Sequence, residues 1–473
     1  MDPKIASDLD RIHENTIRIL SEIGMSFHCE EALGILKNGG ICVRDGRAFF
    51  TAEQVENAIK LAPKEFTVFA RNEDHNVTIN TENLYVTPGY GSACICETDG
   101  TLRESVLDDF LNFAAIVQQS DAFDINGGIL AQPCDIDASI AAPVMVYSAL
   151  KRSDKVLLSV SANAKLTQNI MDILCIAFGE EDLIKTPRAF TLISTMSPLS
   201  IDRNAVETVQ VCAKYHQPLV IAPGPMAGGT GPISLSGNVS LANAEILGLN
   251  VLAQMLSPGL PIIYGFAATT SDMRTMGVCN ASAGFVKESR YGALMAKRYG
   301  FACRSGGAMS DAGGLTAQAG VESAMSLFES FSEKANFVMH AAGSLHSFAS
   351  ASYEKFILDI ETIDRMRYYF SDLSTDEDAL AFSVIQDIVK KNDQFMLHDH
   401  TLGRCRIDPW KPQVSQHGRS KGDPNEELYA AIRVRLNSLL NGYKKPYMDP
   451  DVERRLDEYM LKLGMHKEDI AKV

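Results

Sequence analysis

Several groups of residues in this sequence have types and spacings that suggest chemistry. His398 and His400 in HDH share the spacing of a two-histidine chelate. That pair stands alone, however, and a metal-dependent hydrolase wants further His and carboxylate ligands at the ends of other strands. Cys94 and Cys96, in GSACICETDG, are the one close pair among ten scattered cysteines, and alternation on a strand points both to one face, where packing explains them. The glycine-rich GPMAGGTGPISLSG precedes a helix and so resembles a phosphate cradle, but its spacing matches neither the dinucleotide fingerprint nor the P-loop. A Schiff-base enzyme needs a desolvated lysine inside a strand, and none of the β-rich runs described next contains one. What remains is a set of polar side chains, Asp272 with Arg274, Ser305 with Asp311, and His346, together with the rings of Tyr90, Tyr264 and Phe266. Each ring taken alone also suits a core position. No resident metal is expected.

The elements that would carry these residues are eight short β-rich runs: 84–90, 123–131, 156–162, 189–195, 218–224, 261–267, 301–307 and 336–343. A stretch of helical periodicity follows each, for example SVLDDFLNFAAIVQQ and GFVKESRYGALMAKRYG. Eight such units predict an α/β chain closed into a TIM (β/α)8 barrel rather than an open sheet. The runs end in Gly, Ser, Pro or Thr, as in STMSPLS, APGPMAGG and SGGAMSDAGG, which leaves room above the carboxyl ends of the strands, where barrel enzymes hold their sites. Residues 1–83 read as an N-terminal α/β cap, 84–372 as the barrel, and 373–473 as a C-terminal helical extension. Within that extension PWKP forms an irregular arm suited to a barrel mouth, a neighbouring subunit or a solvated tail.

With 44 Lys and Arg against 59 Asp and Glu, the chain carries a net charge of -15. That charge repels nucleic-acid phosphates and anionic lipid. The opening residues lack the basic start and apolar core of a secretory leader, and no apolar run is expected to span a bilayer, so the cytoplasm is the expected location.

The stretch PMAGGTGPISLSGNVSLANAEILGLNVLAQMLSPGLPIIYG, followed by DMRT, RSGGAMSDAGGLTAQAGVES and SYEKFILDIE, closely resembles the trimethylamine methyltransferase family, and the likeness runs on through the PWKP arm. The resemblance implies a TIM barrel. Archaeal trimethylamine enzymes of the family carry pyrrolysine in the loop after the seventh strand, whereas the region from Ala308 to Ala319 here holds standard residues only. It therefore implies the branch that demethylates quaternary amines such as glycine betaine, proline betaine, carnitine and γ-butyrobetaine. The acceptor would be the corrinoid of a cognate partner protein, with no cofactor held tightly by this chain and no side chain acting as acid or base. Trimethylamine as donor and a non-catalytic betaine-binding barrel are the alternatives. Under this resemblance Tyr90, Tyr264, Phe266 and Tyr353 are the candidates to face the ammonium. His346, Arg274 and Ser305 are those for the carboxylate, with Asp311 nearby. The cap and arm make a homo-oligomer the expected assembly.

Overall fold

The computed structural model describes residues 2–473. Each of the eight runs contains one parallel strand: β1 (Tyr85–Val86), β2 (Ile125–Gly127), β3 (Val156–Ser159), β4 (Ala189–Ile193), β5 (Leu219–Ile221), β6 (Ile262–Gly265), β7 (Cys303–Gly306) and β8 (Phe337–Met339). Ladders join neighbours from β2 round to β8, and β8 pairs with β1 through Phe337 and Tyr85. The circle closes between β1 and β2 at Asp124. Its N–H donates to the Val86 carbonyl at 3.0 Å, and its carboxylate accepts the Val86 N–H at 2.8 Å. The helices that follow the strands are α1 (Leu107–Gln119), α2 (Ala141–Arg152), α3 (Ala164–Phe178), α4 (Arg203–Lys214), α5 (Leu235–Leu256), α6 (Ala283–Tyr299), α7 (Ala317–Ser332) and α8 (Tyr353–Tyr369).

Alternation along each strand sorts its residues into two cores. Ile125, Val156, Leu158, Phe190, Val220, Ile263, Ala302, Phe337 and Met339 cluster inside the barrel. Leu157, Ala189, Ile262, Tyr264 and Cys303 face the helices instead. The amino-terminal end of the barrel is filled by a hairpin from the preceding segment, Phe66–Val68 paired with Val77–Ile79, whose Val68, Val77 and Ile79 join the inner cluster. Phe190 and Phe337 meet there edge to face at 5.0 Å. Main-chain bonds from Phe69 to Pro187 and from Asn72 to Asp154 fasten this plug to the turns that enter β4 and β3.

Helix α5 corrects one expectation, because it is long and apolar enough to cross a bilayer by length and composition. It is buried nearly all round because the helices Pro3–Arg18 and Ala52–Leu61 cover the side that turns away from the barrel. A four-stranded sheet of Met25–Phe27, Cys42–Arg44, Arg47–Phe49 and Ser200–Ile201 ties the N-terminal segment to the loop after β4.

After α8 the chain passes through short helices to the PWKP arm, which lies on the flank of α8. The Glu361 carboxylate accepts the N–H groups of Gln413, Val414 and Ser415 and the Ser415 hydroxyl. Trp410 donates its indole N–H to Asp364 and lies under the Arg365 guanidinium. Helix Pro424–Gly442 then packs on α8 and α1, and Pro450–Leu463 packs on α3.

Candidate functional site

The loops after β1, β2, β7 and β8 converge on one side of the barrel mouth. Tyr90, beyond β1, lies against Gly128, beyond β2, where a Cβ would stand 2.6 Å from the ring and where φ is +73°. Both constraints require glycine. The Tyr90 ring meets the His340 ring edge-on, with centroids 6.1 Å apart, and Phe348 covers the same imidazole at 4.5 Å. Phe348 packs in turn on Phe285, Val286 and Met309.

The segment after β8 holds an unusual backbone. His340 has φ of +58°, and His346, Ser347 and Phe348 follow one another at +51°, +53° and +81°. Such angles cost a non-glycine residue about 1–2 kcal/mol each, so the surroundings must impose them. Asp311 is one constraint: its carboxylate accepts the Asn280 and Ala281 N–H groups at 2.8 and 3.1 Å and the Ser347 hydroxyl at 2.6 Å. The loops after β6, β7 and β8 are thereby bound together. Beneath them lies a buried pair on α8. The Lys355 ammonium stands 2.6 Å from the Asp359 carboxylate, donates to the Ala308 carbonyl, and leaves Asp359 to accept the Gly343 N–H. This clamp joins the exits of β7 and β8.

Two buried polar groups at this mouth lack full partnership. Arg304 follows inward-facing Ala302 by two residues on β7 and so points into the barrel, where it is 3% exposed. Its Nη1 donates to the Phe266 carbonyl at 2.7 Å, whereas its Nε has no partner among the described residues. Burial lowers its pKa to about 10, which leaves it charged at neutral pH. The Nδ1 of His340 is likewise buried without a partner. Burial first, and the Arg304 charge second, hold this imidazole well below its ordinary pKa and therefore neutral.

The residues singled out from the sequence divide. Tyr90, Asp311 and His346 stand at the mouth, His346 with its Nδ1 2.8 Å from the Ser350 hydroxyl. Tyr264, Phe266 and Ser305 point outward, one step out of register with the inner face. The Tyr264 hydroxyl donates to Asn243 on α5, Phe266 presses on Gly292 of α6, and Ser305 accepts a bond from Ser330 of α7. Tyr353 lies between α8 and α1, stacked on Phe113 with its hydroxyl donating to Asp109. Arg274 is 90% exposed at the turn of the hairpin Thr269–Asp272 and Gly277–Cys279, paired with Asp272. In the HDH motif the His400 ring bonds the Asp378 carbonyl, and no group of three or more His, Cys, Asp or Glu among the described residues is arranged to hold a metal. Arg304 and Phe348 were not singled out. The signal for Arg304 was a charged residue inside the otherwise apolar run FACRSGG.

Elsewhere, a cleft of about 760 Å³ opens on the flank between helix Pro3–Arg18 and the first turns of α5 and α6. Its rim carries the solvated charges Arg11, Glu14, Arg18 and Lys287, with no paired rings to receive an organic cation.

Comparison with known proteins agrees with the barrel fold. A model of the trimethylamine methyltransferase family matches residues 1–466. A glycine betaine methyltransferase from Desulfitobacterium hafniense (strain Y51) is 37% identical over 462 residues, which cover 96% of each chain. A proline betaine:corrinoid methyltransferase from Eubacterium limosum is 31% identical over 459 residues, covering 94% of each. Among solved structures, the monomethylamine methyltransferase of Methanosarcina barkeri superposes with a TM-score of 0.56 at 10% identity, over 91% of this chain and 87% of that one, a likeness of fold alone.

Proposed function

Because the chain belongs to the trimethylamine methyltransferase family, we propose that it transfers a methyl group from a carboxylated quaternary amine, of the glycine betaine type, to the reduced corrinoid of a partner protein. The observation that carries this reading is the identity of 37% over 96% of both chains with a glycine betaine methyltransferase. The mouth supports it. Tyr90 and Phe348, each packed on His340 and each partly exposed, are the aromatic rings at hand for a tetraalkylammonium, which has no N–H to donate, and each such contact contributes about 1 kcal/mol.

The corrinoid, carried by the partner, supplies the nucleophile that takes the methyl group. This chain's residues bind, orient and exclude water. A quaternary nitrogen is already cationic and departs as a neutral tertiary amine, so no side chain has to donate a proton. A neutral His340 suits such a site, because it adds no positive charge beside the ammonium. The loops bound together by Asp311 and the Lys355–Asp359 clamp hold the rings in fixed positions, which supports transfer by orientation rather than by acid–base chemistry. Around the mouth, Met196, Ile233, Met273, Met276 and Val278 are apolar and exposed, a rim suited to receive the corrinoid protein. The exchange belongs in the cytoplasm, where the ten free thiols stay reduced. A second copy of the chain is the natural cover for the segment 382–407, whose Phe382, Val389, Met396 and Ile407 are 70–76% exposed. Sedimentation of the chain and of Val389→Lys tests that assembly.

The test of the reaction is an anaerobic assay that combines the purified chain, a reduced corrinoid protein and a panel of glycine betaine, proline betaine, carnitine, γ-butyrobetaine and trimethylamine. The demethylated amine is quantified by mass spectrometry. Release of dimethylglycine from glycine betaine is the expected result. Turnover of trimethylamine alone overturns the reading, and betaine binding without turnover favours a sensor.

A further inference from the structure

The inner wall of the barrel contains a cation that the chain does not neutralise. Arg304 is enclosed on β7 with one of its nitrogens bonded to the Phe266 carbonyl and its Nε unpartnered, and no carboxylate among the described residues forms a salt bridge with it. Arg71 and Arg152 also carry unpartnered guanidinium nitrogens but are only partly buried, and the lysines enclosed in the fold are matched. Lys355 has Asp359, and Lys155 donates to the carbonyls of Val117, Ser120 and Phe123, where α1 ends. A buried guanidinium without a counter-charge is strongly unfavourable in an empty site, so its retention points to an anion supplied from outside. His340 stands near it with an unpartnered Nδ1, which can donate when the single ring proton sits there rather than on the nitrogen facing the Tyr90 backbone. The rings of Tyr90 and Phe348 both rest on that same imidazole.

We propose that Arg304, with His340 beside it, receives the carboxylate of the substrate, so that a betaine enters the barrel carboxylate first and leaves its trimethylammonium group at the mouth, beside the rings of Tyr90 and Phe348. The ammonium half of this pose rests on the proposed function, whereas the anion site rests on Arg304 alone. In this orientation the carboxylate is sealed against the inner wall and the methyl groups face the mouth, the side from which a macromolecular acceptor can approach. The same geometry separates betaines from amines of similar bulk. Choline and tetramethylammonium reach the same rings and leave the guanidinium unpaired, so the site discriminates by charge at the far end of the ligand.

The test uses the purified full-length chain without any corrinoid partner. Calorimetry measures glycine betaine, choline, tetramethylammonium and acetate against wild type, Arg304→Gln and Arg304→Lys, with unfolding curves recorded for each. The proposal expects Arg304→Gln to weaken glycine betaine by about 100-fold, the loss of a charge-assisted pair, and to change choline by less than about 3-fold. Lys at 304 keeps the charge without the fork and recovers part of the affinity. The unliganded Gln variant should unfold no earlier than wild type, because an unpaired buried charge has been removed. Acetate should compete with glycine betaine on the wild type, which keeps the test independent of how any variant folds.

Equal losses for glycine betaine and choline, or early unfolding of both variants with no acetate competition, assign Arg304 a structural role and overturn the proposal. Unchanged betaine affinity in Arg304→Gln does the same. If the wild type binds acetate through Arg304 but no quaternary amine, the anion site stands and the betaine reading falls. If choline and glycine betaine bind equally well and neither responds to Arg304, the quaternary-amine reading stands and the anion site falls.

Discussion

The two ends of the barrel are built on opposite principles. At the amino-terminal end the hairpin of residues 66–79 fills the interior with Val68, Val77 and Ile79 against Phe190 and Phe337, and its backbone is bonded to the turns around it. At the carboxyl-terminal end the chain holds an unneutralised guanidinium, a partnerless imidazole nitrogen and three successive left-handed residues. The plug end is dominated by apolar burial, with the partly buried Arg71 left short of partners, and the mouth maintains fully enclosed groups that a ligand can satisfy. Stability and recognition are therefore separable along the barrel axis, and substitutions at the two ends should separate them.

The largest effect is expected at the plug. Phe190→Ala should cost about 3–5 kcal/mol of stability by opening a cavity. In urea titrations the unfolding midpoint should fall, while the folded fraction keeps its affinity for glycine betaine. Next, Lys355→Met strands the Asp359 carboxylate beneath the mouth loops and should cost about 3 kcal/mol, whereas Lys355→Met combined with Asp359→Leu should recover most of it. Thermal unfolding of the single and double variants reads this directly.

Glu288 on α6 gives a pH test. One of its oxygens accepts from Asn238, the other is buried without a partner, and burial raises its pKa to about 7 from the ordinary 4.5. The folded state thus keeps a proton that the unfolded chain releases, and stability falls as pH climbs from about 4.5 to 7. Glu288→Gln should flatten that slope and exceed the wild type by about 1–3 kcal/mol at pH 8, measured by denaturation across the range.

The smallest change in stability is expected at the mouth. Phe348→Gly removes a ring but relieves a φ of +81°, so the unfolding free energy should move by less than about 1 kcal/mol. Calorimetry should nevertheless show glycine betaine binding weakened by about 5- to 10-fold. A result in which Phe348→Gly unfolds the protein, or Phe190→Ala abolishes binding by its folded fraction, would erase the contrast.

The barrel was legible because its signals are long. Alternating β-rich runs and helical periods recur eight times, and noise in any one run leaves the pattern intact. The site was legible only in part because it turns on parity. In FACRSGG a shift of one residue exchanges Ser305 for Arg304, and in PIIYGFA it sends Tyr264 and Phe266 to the helices. Chemical type favoured the residues with familiar binding roles, whereas the fold selected by side of the strand. Phe348 was hidden for another reason. It reaches His340 only because three consecutive residues adopt left-handed angles, which no periodicity announces. The expectation that no apolar run is long enough to cross a bilayer failed at α5, whose apolar surround is explained by N-terminal helices far away in sequence.

The hairpin that plugs the barrel also sets an order of events at the ribosome. Residues 66–79 emerge before any barrel strand, yet the walls that enclose them are not complete until β8, more than two hundred residues later, pairs with β1. Until β2, β3 and β4 are made the plug's valines and isoleucine have no barrel wall to rest against, and the first strand waits for its last neighbour. Such distant pairing makes folding slow and leaves nascent chains adhesive. The same feature that makes the mature barrel robust thus leaves its plug incompletely enclosed until translation reaches the eighth strand.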